Sequence, residues 1–120
     1  AIPFAAGIAC INKMKKLNTP ALFREKGLKV GEGLKAAAAN NGFHLVVSGE
    51  PSLFYLRLAD DDSLMLHQEW VAEMVKRGIF ITSHHNHFIN ASLTDEDIAH
   101  TVDAAEDAFN TLRKNHPELA

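Results

Sequence analysis

A single cysteine, Cys10, stands in the 120 residues, so no disulfide can close within this chain. It lies in the apolar run Ala9-Cys10-Ile11 and is expected as a buried small hydrophobe. No apolar run approaches the ~20 residues that span a bilayer. The apolar start has no basic leading segment, which argues against a signal peptide. A net charge of −3 gives no reason to expect nucleic acid or an anionic membrane as partner. A cytoplasmic setting is the resulting expectation. There is no internal repeat and no low-complexity linker. At this length the chain is one domain at most.

What is present reads mainly as helix. Ile2 to Leu17 is apolar nearly all round in its first half, with Phe4, Ile8 and Ile11 at helical spacing. Such a helix requires burial on more than one side, either in the core or against a larger neighbour or a second copy. The chain begins without methionine inside this helix-like stretch, as a fragment would. Thr19 and Pro20 read as cap and first residue of a second helix reaching about Asn40. Within it, Gly31-Glu32-Gly33-Leu34-Lys35-Ala36 matches a dinucleotide-binding pattern, but no strand precedes it and the glycines fall mid-helix. Phe43–Ser48 and Leu53–Ala59 read as an antiparallel hairpin about Gly49–Ser52. Asp60, Asp61 and Asp62 lack the glycine and distal glutamate of a calcium loop, and suit the positive end of the next helix.

That third helix carries Val71, Met74 and Val75, and Arg77-Gly78 closes it. Ile79–Ile81 and Phe88–Ile89 read as short strands around a polar loop. Thr94 caps a last helix, from Asp95 to about Lys114, striped by Ile98, Val102, Ala105, Phe109 and Leu112. The predicted order is α-α-β-β-α-β-β-α. The fold class is α+β, a small and mainly antiparallel sheet with helices packed on it.

The conspicuous chemistry is His84-His85-Asn86-His87. Histidine serves at neutral pH as a base or a metal ligand. In an extended segment only His85 and His87 would share a face. No helical His-x-x-x-His pair and no nearby cysteine completes a zinc site, so no metal is expected. The lysines at positions 13, 15, 16, 26, 29 and 35 fall on solvated helix faces, and none follows an apolar strand where its pKa would drop. No catalytic residue emerges from the pattern.

Three stretches, taken together and in order, resemble a known family. AIPFAAGIACINKM, LFREKGLKVGEGLKAAAANNG and MVKRGIFITSHHNHFINASLTDEDI are similar to the C-terminal part of class III pyridoxal-phosphate aminotransferases of the glutamate-1-semialdehyde aminomutase-like group. The consecutive histidines depart from the family pattern. The resemblance implies that residues 1–17 form a helix packing on a large cofactor domain, and that residues 18–120 form the small C-terminal domain. It places the cofactor lysine and the phosphate-binding residues in the large domain, so no catalytic or cofactor-binding residue carries over. It leaves Ser83, His84, His85 and Asn86 as substrate-side cleft candidates. The implied parent is a homodimeric, PLP-dependent transaminase or 2,1-aminomutase acting on a small amine or amino-aldehyde. The fragment itself is expected to be inactive and to hold no cofactor. The other reading is a free-standing, non-catalytic α+β binding or dimerisation module. The native gene separates the two.

Overall fold

Two helices, α1 (Ile2–Leu17) and α2 (Thr19–Asn40), meet at a single residue. In this computed structural model, which describes residues 1–59 and 61–119, Asn18 ends the first helix and begins the second in a left-handed conformation, φ 47° and ψ 53°. Asparagine tolerates that region better than most residues. The predicted cap therefore moves by one position. Asn18 is the cap, and Thr19 is already helical, buried, with its hydroxyl unpartnered.

Helix α1 buries none of its residues. Phe4 is 79% exposed, Ile8 62% and Ile11 53%. Cys10 is exposed as well, which corrects the expectation of a buried thiol. Of the two readings of this apolar helix, burial in the chain's own core fails, because α1 packs among the described elements only on α2. The molecule is accordingly long, 58 × 24 × 24 Å, with a radius of gyration of 16.4 Å. A compact chain of this length has about 14 Å.

The remainder forms the expected α+β unit. Strands β1 (Leu45–Glu50) and β2 (Leu53–Leu58) pair antiparallel across a tight turn, from Leu45 opposite Leu58 to Glu50 opposite Leu53. Helix α3 spans Met65–Lys76, a short strand β3 spans His87–Phe88, and α4 spans Asp95–Asn115 before a one-turn 3-10 helix. Sheet order is β1-β2-β3. The core lies where α2, α3 and α4 meet the sheet, around Leu34, Leu45, Leu56, Trp70 and Phe109. Trp70 stacks on Phe109 at 4.9 Å, and Phe43 stacks on the same ring at 5.7 Å.

Sequence chemistry accounts for the ends. The Thr94 hydroxyl accepts from the Asp97 N–H at 3.1 Å, and the Asp97 carboxylate accepts from the Thr94 N–H at 2.8 Å, a capping box that starts α4. Its stripe is buried at Ile98, Ala105, Phe109 and Leu112. Asp61 stands at the start of α3, its carboxylate accepting from the His67 N–H at 2.8 Å and the Ser63 hydroxyl at 2.9 Å. Asp60 lies outside the described residues. The mid-helix glycines of α2 serve approach, not phosphate. A Cβ on Gly27 would sit 1.8 Å from the Pro51 carbonyl oxygen, and one on Gly33 2.4 Å from a Val102 methyl.

One expected strand is absent among the described residues. Ile79–Ile81 is β-favouring in composition but pairs with nothing, and Phe80 is 86% exposed. Strand propensity needs a neighbour to pair with. The order is therefore α-α-β-β-α-β-α, with β3 beginning one residue earlier than read, at His87.

Candidate functional site

The histidine loop is anchored at both ends by backbone bonds. At its start, Gly78 takes φ 83° to end α3, and the Ile79 N–H returns to the Met74 carbonyl at 3.0 Å. At its end, β3 pairs with β2, His87 opposite Phe54 and Phe88 opposite Leu53, and the Ile89 N–H donates to the Ser52 carbonyl at 3.1 Å. Between them residues 83–85 bend. The loop thus joins a helix to a strand, not two strands.

A cleft of about 470 Å³ opens between this loop, α2 and β2. Its floor is apolar, with buried Leu34, Leu56 and Met74, and its mouth carries Thr82, His85 and Asn86. Of the four residues singled out from sequence, His85 and Asn86 line this cleft, whereas Ser83 and His84 do not. The Ser83 carbonyl accepts from the Tyr55 hydroxyl at 3.2 Å, and the Ser83 hydroxyl bonds the His84 Nδ1. His85 and His87, expected on one face, both line the cleft but differ in burial. His85 is exposed, while His87 is half-buried and stacks on Phe54 at 5.5 Å.

Sequence reasoning missed one histidine that matters here. His67 is fully buried beside Trp70, its ring centroid 5.7 Å from the indole, with neither ring nitrogen hydrogen-bonded. The signal was available, since His67, Trp70 and Met74 fall three and four apart on the buried side of α3. Burial pushes its pKa down. The nearby Asp61 carboxylate opposes this, and His87, His84 and Arg57 add to the lowering. His87 is also pushed down by burial, against backbone contacts with Phe54 and Thr82 that favour the charged ring. For Asp61, burial works to raise the pKa, but the hydrogen bonds from His67 and Ser63 together hold it below the usual value. Among the described residues, no three His, Cys, Asp or Glu side chains converge as a metal would need.

The sign of the pH dependence follows. A histidine whose folded pKa lies below its unfolded value contributes stability above about pH 6.5 that is lost as pH falls towards the folded value. His116 acts oppositely. Its pKa is raised, chiefly by the hydrogen bond with Glu69 at 2.7 Å. In a His116→Gln chain the urea midpoint should therefore fall between about pH 7.5 and pH 5 as His67 and His87 take up protons. A flat profile would contradict the assignment of buried neutral rings.

No protein-family model matches the chain. Individual proteins do. Glutamate-1-semialdehyde 2,1-aminomutase 2 of Bacillus pumilus is 30% identical over 104 residues, 77% of this chain and 24% of that protein. Aminopentol aminotransferase of Sphingopyxis macrogoltabida is 25% identical over 119 residues, 99% of this chain and 28% of that protein. The solved structure of the Sphingopyxis sp. MTA144 FumI protein, in its PLP internal aldimine form, superposes with a TM-score of 0.75 at 26% identity, over 82% of this chain and 25% of that one. The chain belongs to the class III pyridoxal-phosphate aminotransferases. It spans about a quarter of the length of these relatives, at their C-terminal-like portion.

Within this class III portion, the described residues do not fit pyridoxal phosphate by themselves. The cleft lining includes no lysine or arginine to meet a phosphate. The lysines lie on helices. Lys26 is occupied by the Ala91 and Leu93 carbonyls, Lys29 by Glu25 and Asp95, and Lys76 by Glu73.

Proposed function

We propose that this chain is the small C-terminal domain of a cytoplasmic, homodimeric aminotransferase or aminomutase, and that it forms the substrate-side wall of the cleft. The observation that carries the reading is α1. Phe4, Ile8 and Ile11 stand exposed on a helix that the rest of the chain leaves uncovered. Full burial of each would contribute roughly 1.5–3 kcal/mol. A large cofactor domain, consistent with a chain a quarter as long as its relatives, supplies such a surface. Residues 1–17 would pack on that domain, and residues 18–120 would form the small one. Pyridoxal phosphate, held by the large domain, supplies the electron sink for moving an amino group between an amine and a carbonyl compound. His85 and Asn86 would meet the amine or amino-aldehyde from the cleft mouth, with Ser83 and His84 shaping the loop behind them.

The test is the native coding sequence and the protein it encodes. An in-frame extension of about two domains before Ala1, with a lysine after an apolar strand, is expected; a start codon immediately before Ala1 would overturn the reading. In the extended protein, His85→Ala and Asn86→Ala should raise KM for the amine with little change in kcat, as loss of uniform binding does. The 120-residue chain alone should show no turnover. Treatment with pyridoxal phosphate and borohydride should leave no lysine stoichiometrically modified.

A further inference from the structure

His87 closes the loop through a nitrogen that can accept a hydrogen bond only while the ring is neutral. Its Nε2 lies 3.2 Å from the backbone nitrogen of Thr82, five residues earlier, and accepts that N–H. An acceptor nitrogen must be bare, so in the closed loop the ring proton resides on Nδ1. That Nδ1 is sealed from solvent and has no partner. The ring is fixed from below by its stack on Phe54 and by the pairing of β3 with β2.

We propose that His87 is a proton-released clasp, which holds Thr82–Asn86 against the sheet when neutral and lets the mouth of the cleft open when charged. A proton added at Nε2 turns the acceptor into a donor facing the Thr82 N–H. It also leaves a cation with one nitrogen shut away from water. Swinging the ring outward relieves both, and Thr82 loses its tie. Among the described residues no acid meets the charged ring, and the backbone contacts with Phe54 and Thr82 that favour it do not outweigh its burial. From α3 the facing group is His67, from β2 Phe54, and the loop itself carries His84 and His85. Helix α2 contributes only Val30 and Leu34 to the cleft. Asp61 is the acid nearby among the described residues, and its carboxylate is held by Ser63 and the His67 N–H. The Tyr55–Ser83 bond becomes the pivot. Any bearing on substrate rests on the reading of the cleft above, whereas the clasp does not.

The experiment follows backbone amides and histidine rings of the 120-residue chain by NMR, from about pH 8 to pH 4. The Thr82 amide should lose at least tenfold in exchange protection, with the midpoint of the His87 ring; the His67 ring is followed separately. In His87→Gln, whose side-chain oxygen accepts an N–H at any pH, Thr82 protection should stay level. Protection that holds while the His87 ring titrates overturns the clasp, and so does a ring that remains neutral throughout. A Thr82 amide already unprotected at pH 8, or an identical fall in His87→Gln, overturns it too. Should that variant fail to fold, the two midpoints in the unaltered chain decide.

Discussion

Trp70→Ala should remove about 3–5 kcal/mol of folding free energy, the usual cost of truncating a large buried aromatic. Trp70 is fully buried, stacked on Phe109 at 4.9 Å and beside the His67 ring. It is the point where α3 meets α4, so the loss falls on contacts between elements. Folded domains have only about 5–15 kcal/mol to lose. The urea midpoint should drop by at least about 1 M, given slopes of roughly 1–3 kcal/mol/M. Phe80→Ala is the control. That ring lies almost wholly in solvent, and its loss should change stability by no more than about 0.5 kcal/mol. Equal shifts in the two variants would mean that the core is not where the packing places it.

Gly27→Ala should destabilise although alanine is the better helix former. The helix preference favours alanine by about 1 kcal/mol. Against it stands a Cβ 1.8 Å from the Pro51 carbonyl oxygen, a backbone atom that no rotamer can clear. Overpacking costs about 1–3 kcal/mol and a backbone clash this close lies at the upper end, so the net loss should approach about 2 kcal/mol, with the β1–β2 turn displaced from α2. The same change at Gly7, where nothing lies within 4 Å, should raise helicity and leave the unfolding midpoint unchanged. A stabilised Gly27→Ala would contradict the close approach of α2 to the hairpin.

How far the chain could be read depended on whether a feature was local. The capping box at Thr94, the left-handed glycine at Gly78 and the stripe of α4 involve residues within a turn of each other, and they stand where periodicity put them. Ile79–Ile81 did not become a strand because a strand is a property of two segments, and its sequence reports only one. Cys10 was read as buried for a related reason. All-round apolarity states what a helix needs, not what surrounds it. The cleft was half legible. The histidine run drew attention to His85 and Asn86, but the bend at residues 83–85 leaves Ser83 and His84 outside the cleft that His85, Asn86 and His87 line. His67, an isolated residue on an apolar helical face, has a role set by Asp61, Trp70 and the neighbouring histidines, which only the fold assembles.

The joint at Asn18 gives α1 the properties of a lever. Sixteen residues at 1.5 Å rise make an arm of about 24 Å, so a change of about 10° at the fulcrum displaces its tip by roughly 4 Å. The direction of the whole apolar arm is set by the two backbone torsion angles of one residue that lacks the freedom of glycine. A substitution there would leave the core between α2, α3, α4 and the sheet in place and re-aim the surface that carries Phe4, Ile8 and Ile11. Reach and aim in this molecule can thus change independently of its core, through a single codon.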